Sequence, residues 1–190
     1  MSAAALAFGF PLAHLVTTGL GPFYDGLLHF LESPQDLLPV VALALFAGLR
    51  GAQQGRLVLF LLPAAWLAGG FAGLSLPLRV GPAVATASLL LCGLLVATDA
   101  RLPSTATAAL AVIVGLVHGI ENGGAMAQMM TAGIPGLTGI VAATFVVSAL
   151  AAALVVSLRV SWARIAVRVA GSWIAAIGLL LVGWSLRPPR

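Results

Sequence analysis

Apolar runs, each about long enough to cross a bilayer once, succeed one another along this chain with little between them. Bounded by Gly, Pro and Arg, they fall at residues 3–20, 36–49, 57–74, 82–98, 104–120, 137–156 and 169–186. They lack the period-two alternation of strands and are too long for barrel strands, so each predicts a helix. The pattern gives an all-α, polytopic transmembrane helical bundle of six or seven spans, forming a single integral membrane domain over residues 1–190. The count turns on the first run. MSAAALAFGFPLAH has the apolar core and small residues of a signal peptide but no basic start. Residues 1–20 are therefore a retained span, the preferred reading, or a signal-like segment cut near Ala13.

Composition makes the membrane reading firm. The chain is 61% hydrophobic and 7% charged, with a mean hydropathy of +1.13, where soluble domains carry about 25% charged residues. Such a chain has too few polar groups to cover a water-facing surface, so its surroundings are a lipid bilayer, expected to be a bacterial inner membrane. The formal charge of +4 comes from nine arginines and no lysine, placed at the ends of the runs. No basic stretch is interleaved with aromatics, so nucleic acid is not an expected partner. The loops after the second, fourth and sixth runs hold Arg50, Arg56, Arg101, Arg159, Arg164 and Arg168. The other side holds Arg79, with Arg187 and Arg190 at the C-terminus. By the positive-inside rule the first set faces the cytoplasm. A single cysteine, Cys92, excludes an intrachain disulfide and any CxxC site, and reads as a small buried apolar residue.

The polar side chains are few and crowded. All three histidines, His14, His29 and His118, and four of the five carboxylates lie within residues 14–36 or 118–121, both predicted outside. The exception, Asp99, sits near Arg101 in a cytoplasmic turn. Polar groups at membrane depth are costly and mark function by default. Local structural roles compete with that reading. In SPQD, Ser33 can cap a helix, Pro34 suits its first position, and Asp36 falls on the positive end of the dipole. Glu32 reads as a solvated charge. Asp25 with His29, and His118 with Glu121, share helix faces and can simply pair. Gly119, Gly123 and Gly124, beside Asn122, let the backbone turn or approach another helix closely. Met126, Met129 and Met130 read as packing, and Trp66, Trp162, Trp173 and Trp184 as span packing and interface anchors.

Taken together, imidazoles and carboxylates from two segments on one side point to a mixed N/O metal site. Neutral imidazole favours nickel, cobalt, zinc or copper over magnesium or calcium. The second run is short and contains Pro39, and interrupted helices of this kind mark transport sites. No phosphate-binding glycine loop, GxSxG or HExxH is present, and no nucleophile adjoins a histidine in sequence, so an enzyme is not expected.

These residues resemble the HupE/UreJ family of membrane proteins, associated with hydrogenase and urease gene clusters and regarded as nickel or cobalt permeases. Ala13-His14 is similar to the family's N-terminal Ala-His. Gly21 to His29 resembles its Gly-Phe…Gly…His-Pro segment, with His29 at the histidine, and Asp36 stands at the aspartate of Asp-His-Leu-Leu-Ala-Met. His118-Gly119 matches the start of His-Gly-x-Ala-His-Gly-x-Glu. Here Leu37 replaces a histidine, Phe30 a proline, Pro39-Val40 an Ala-Met pair and Glu121-Asn122 an Ala-His pair, the pattern of a divergent branch. The resemblance implies a protein that binds a divalent transition metal at its outer face and carries it into the cytoplasm. His14, His29, Asp36, His118 and Glu121 are the expected ligands, with Asp25 and Asn122 orienting them from behind. The alternatives are a non-transporting accessory protein for metalloenzyme assembly, with a homo-oligomer or assembly partner, and a membrane metallohydrolase.

Overall fold

The computed structural model describes residues 18–76, 78, 80–128 and 133–185. Among them it contains seven helices and no strand: α1 (Pro22–Glu32), α2 (Pro34–Arg50), α3 (Ala52–Ser75), α4 (Pro82–Ala97), α5 (Ser104–Gln128), α6 (Gly133–Ser157) and α7 (Ser161–Ser185). The all-α bundle expected from the sequence is the fold found. The first apolar run, with His14, lies outside the described residues but for its last positions.

Four helices, α3, α5, α6 and α7, are long and apolar enough to cross a membrane. Helices α1 and α2 meet at Ser33 with a bend of 74° and are long and apolar enough only as a pair, the form of a broken span or a re-entrant loop. The 16 residues of α4 rise about 24 Å, short of a hydrocarbon core of about 30 Å. Among the described residues four or five helices qualify as spans, with α4 as a shorter apolar helix, and the first of the expected spans lies almost wholly outside them. Two element ends also differ from the sequence reading. Helix α5 does not stop near residue 120 but runs through HGIENGG to Gln128, and α7 begins at Ser161 rather than 169.

Glycine explains the first difference. Gly115, Gly119 and Gly123 recur every fourth residue on α5 and press on the backbone of Leu62, Trp66 and Gly70 of α3. From the other side, Gly69 and Gly73 of α3 meet the backbone at Leu116 and Ile120. A Cβ at any of these positions would overlap a carbonyl, so the small residues serve close helix contact, and the helix continues through them. Contact positions rise together along both helices, so α3 and α5 run parallel. Helix α4 packs antiparallel on α7, where Gly93 meets Ala175 and Gly178 meets Leu90. Helix α1 lies on the start of α6, Gly26 against Gly136 and Gly139 against Phe23.

The two ends of the bundle differ chemically. At one end Arg50 pairs with Asp99, Arg164 donates to the Leu49 carbonyl at 3.0 Å, and Arg168 donates to that of Ala97 at 3.1 Å. Gln54 donates to the Leu102 carbonyl at 3.2 Å and accepts from Thr107 at 2.9 Å, joining α3 and α5 at the same end. Arg56, Arg101 and Arg159 lie in the adjoining first turn and loops, so the six arginines assigned to even-numbered loops share one end. The start of α2, the last turns of α5 and the start of α4 make up the other. Between the ends the core is apolar, with Val40, Leu43, Phe46, Val58, Leu62 and Ile140 wholly buried.

Candidate functional site

The bend at Ser33 aims the start of α2 into the bundle. Ser33 occupies the N-cap and Pro34 the first turn, as the sequence indicates, but the serine does not cap through its side chain. Its hydroxyl turns back and donates to the His29 carbonyl at 2.7 Å, tying the end of α1 to the start of α2. Its own carbonyl accepts the amides of Asp36 and Leu37 at 3.0 and 2.9 Å. The Asp36 side chain is consequently not spent on the helix end, and points inward instead.

There it meets α5. His118 Nδ1 donates to Asp36 Oδ1 at 2.7 Å, across 82 residues of sequence. On the far edge of the ring, Nε2 is 2.8 Å from Ser88 Oγ, in the second turn of α4. Three helices thus contribute one hydrogen-bonded chain, Asp36–His118–Ser88, whose members are 4%, 2% and 7% exposed. Trp66 of α3 stacks on the imidazole with centroids 5.3 Å apart and planes 28° from parallel. Phe30 of α1 in turn meets Trp66 edge-on at 5.7 Å. The interlock of α3 and α5 fixes this stack, because Gly119 beside His118 rests on the Trp66 carbonyl.

Around the chain lie polar atoms with nothing to bond among the described residues. Asn122, one turn beyond His118, donates through Nδ2 to the His118 carbonyl at 2.9 Å, while its Oδ1 is buried without a partner. His29 Nδ1 and Trp66 Nε1 are buried in the same condition. An orphaned buried polar atom costs about 1–3 kcal/mol. The amide oxygen and the imidazole nitrogen can accept a proton or a cation, whereas the indole can only donate. His29 also lies near enough to Asp36 and Glu32 to feel their charges.

The expected ligands are therefore distributed as follows. Asp36 and His118 are joined directly. His29 is buried one turn before the bend. Glu121 turns outward, accepting the amides of Val80 and of Gly81, the latter at 2.7 Å, and so ties the residues leading into α4 to α5. Gly81 holds the required backbone, with φ at +85°. Asp25 does not bond His29; it accepts the amide and the hydroxyl of Thr18 at 2.6 and 2.7 Å. His14 lies outside the described residues. Among the described residues no three His, Cys, Asp or Glu side chains lie close enough to hold one metal ion. Ser88, Trp66 and Phe30 belong to the site although the sequence reading did not place them there. Ser88 in ATASLL carries no motif, and a tryptophan in a span is indistinguishable from packing.

An Asp–His–Ser chain can orient a ligand nitrogen, pass a proton or activate a serine. The last needs oxyanion donors, and the amides around Ser88 are committed to the helix ladder. The family model described as HupE / UreJ protein matches the chain over residues 2–181. No curated protein and no solved structure matches the chain.

Proposed function

The chain belongs to the HupE/UreJ family, and on that premise we propose that it takes up a divalent transition metal ion, of the nickel and cobalt class, at the Asp36–His118 end and delivers it to the arginine-bearing end. The observation that carries this reading is the buried Asp36–His118 pair, assembled from two segments at the mouth of a bundle whose other buried ionisable groups, among the described residues, are Asp25, His29 and Cys92. A carboxylate beside an imidazole is a donor set for borderline cations. The unpartnered His29 Nδ1 and Asn122 Oδ1 are the nearest further donors in character, His14 stands at the family's N-terminal histidine, and Glu121 would join them by releasing the amides of Val80 and Gly81. With the arginine-bearing end in the cytoplasm, the pair faces outward and the direction is import.

The apolar floor of Leu43, Phe46 and Leu62 beneath the pair favours a second reading, a metal-binding accessory protein that does not transport. Proteoliposomes separate the two. Radiolabelled nickel or cobalt should accumulate with the wild type and fall at least about tenfold with His118→Ala, because the buried ring carries both hydrogen bonds of the site. Binding in detergent without accumulation would establish the accessory reading. Absence of binding to nickel, cobalt and zinc would end both.

A further inference from the structure

We propose that the arginine-bearing end holds the phosphate of an anionic phospholipid, seated where α7 overhangs the end of α4. Four guanidiniums gather there. Arg50 ends α2, Arg101 follows α4, and Arg164 and Arg168 lie in the opening turns of α7. The charges of Arg101 and Arg164 both bear on Arg50, which pairs with Asp99. Asp99 is the one carboxylate at this end, because Asp25, Glu32, Asp36 and Glu121 lie at the other. Three guanidinium charges are left without an acidic partner among the described residues. Their mutual repulsion is offset only by an anion from another molecule.

The donors are also held in place. Arg164 bonds the Leu49 carbonyl at 3.0 Å and Arg168 that of Ala97 at 3.1 Å, so each uses only one of a guanidinium's five N–H groups. Arg101, exposed in the loop after α4, makes no hydrogen bond among the described residues. Ala97 is the last residue of α4, whereas Arg168 lies two turns inside α7, so α7 runs on about 10 Å past the end of α4. The interfacial layer of a bilayer is roughly 5–8 Å deep on each side. The step therefore has the height of a lipid headgroup. Trp162, 71% exposed in the first turn of α7, suits that layer. Toward the membrane the same two helices expose Leu91, Leu94, Val169 and Trp173, an apolar surface for acyl chains. A free phosphate ion would meet the charge but not this surface. A zwitterionic headgroup would bring a cation of its own into a step already cationic, which favours the anionic lipid.

Binding of phosphatidylglycerol and phosphatidylcholine to the purified full chain in detergent is measured by native mass spectrometry, for the wild type, Arg168→Gln, Arg101→Gln and Arg56→Gln. The wild type should hold phosphatidylglycerol at least about tenfold more tightly than phosphatidylcholine. Arg168→Gln and Arg101→Gln should each lose about tenfold of that affinity, the equivalent of one hydrogen bond to a charged group. Arg56→Gln removes the same charge from an exposed position on α3 at the same end, and should bind as the wild type does. An equal loss in all three variants reveals diffuse attraction to a basic surface and overturns the site, as does equal affinity of the wild type for the two lipids. Displacement of the bound lipid by millimolar inorganic phosphate reveals a simple anion site and overturns the lipid. Should Arg168→Gln fail to fold, Arg101→Gln decides alone, since its side chain is exposed and unbonded. Thermal unfolding gives a second readout. Phosphatidylglycerol should raise the midpoint of the wild type and Arg56→Gln and leave that of Arg101→Gln nearly unmoved; an equal rise in all three also overturns the proposal.

Discussion

Asp36 shows how one side chain can be read two ways until its surroundings are known. Its position three residues past Ser33 is that of a capping carboxylate, yet the helix start is held by backbone and proline, and the carboxylate faces His118. Asp36→Asn therefore tests charge rather than folding. The amide oxygen can still accept from Nδ1, so thermal unfolding should shift by no more than about 1 kcal/mol. Metal affinity should drop about tenfold or more, as the negative charge and the enforced tautomer are both lost. An unaltered affinity would return Asp36 to a structural role. The crowding of histidine and carboxylate at residues 14–36 and 118–121 was legible because a membrane chain has so few such residues. The partnership of His118 with Ser88 was not, since a serine in an apolar run gives no signal until three helices are placed around it.

At the scale of elements, span centres follow from hydropathy, while their ends follow from neighbours. Helices α2, α3, α4 and α6 lie close to the apolar runs that predict them. Helix α5 outruns its prediction because the glycines of HGIENGG, which in isolation read equally as a turn, are the contact surface for α3. Helix α7 begins early because Arg164 and Arg168, charges that suggest a loop, lie in its opening turns and reach across to α2 and α4. A pair of substitutions separates contact glycines from incidental ones. Gly119→Ala would drive a methyl into the Trp66 carbonyl and should lower stability by about 1–3 kcal/mol while disturbing the stacked ring. Gly124→Ala meets only the Leu78 carbonyl at 3.9 Å and should be neutral or slightly stabilising. Unfolding of both variants in detergent, compared with the wild type, provides the check; equal stability would show that the α3–α5 contact is looser than described.

Across the whole molecule, the arginine bias in the sequence becomes a spatial separation. Cysteines placed at Gln53 and Val160, both exposed at the arginine-bearing end, should react with impermeant maleimide only from the cytoplasmic side, Cys92 being buried and silent. Reaction of both from outside intact cells would reverse the direction proposed for the metal.

The same separation makes the protein an electrically polarised particle lying along the membrane normal. Among the described residues Asp25, Glu32, Asp36 and Glu121 gather at one end, and six guanidiniums with Asp99 at the other. The acidic pole should enrich divalent cations before any ligand is engaged, and water-borne ions should screen that enrichment. The Debye length shrinks from about 30 Å at 0.01 M salt to about 8 Å at 0.15 M. Stopped-flow association of Zn²⁺ should therefore slow severalfold over this range while dissociation, governed by the buried pair, hardly changes. On the function proposed above, a change in external salinity would thus alter how fast metal is captured, and not how long it is kept.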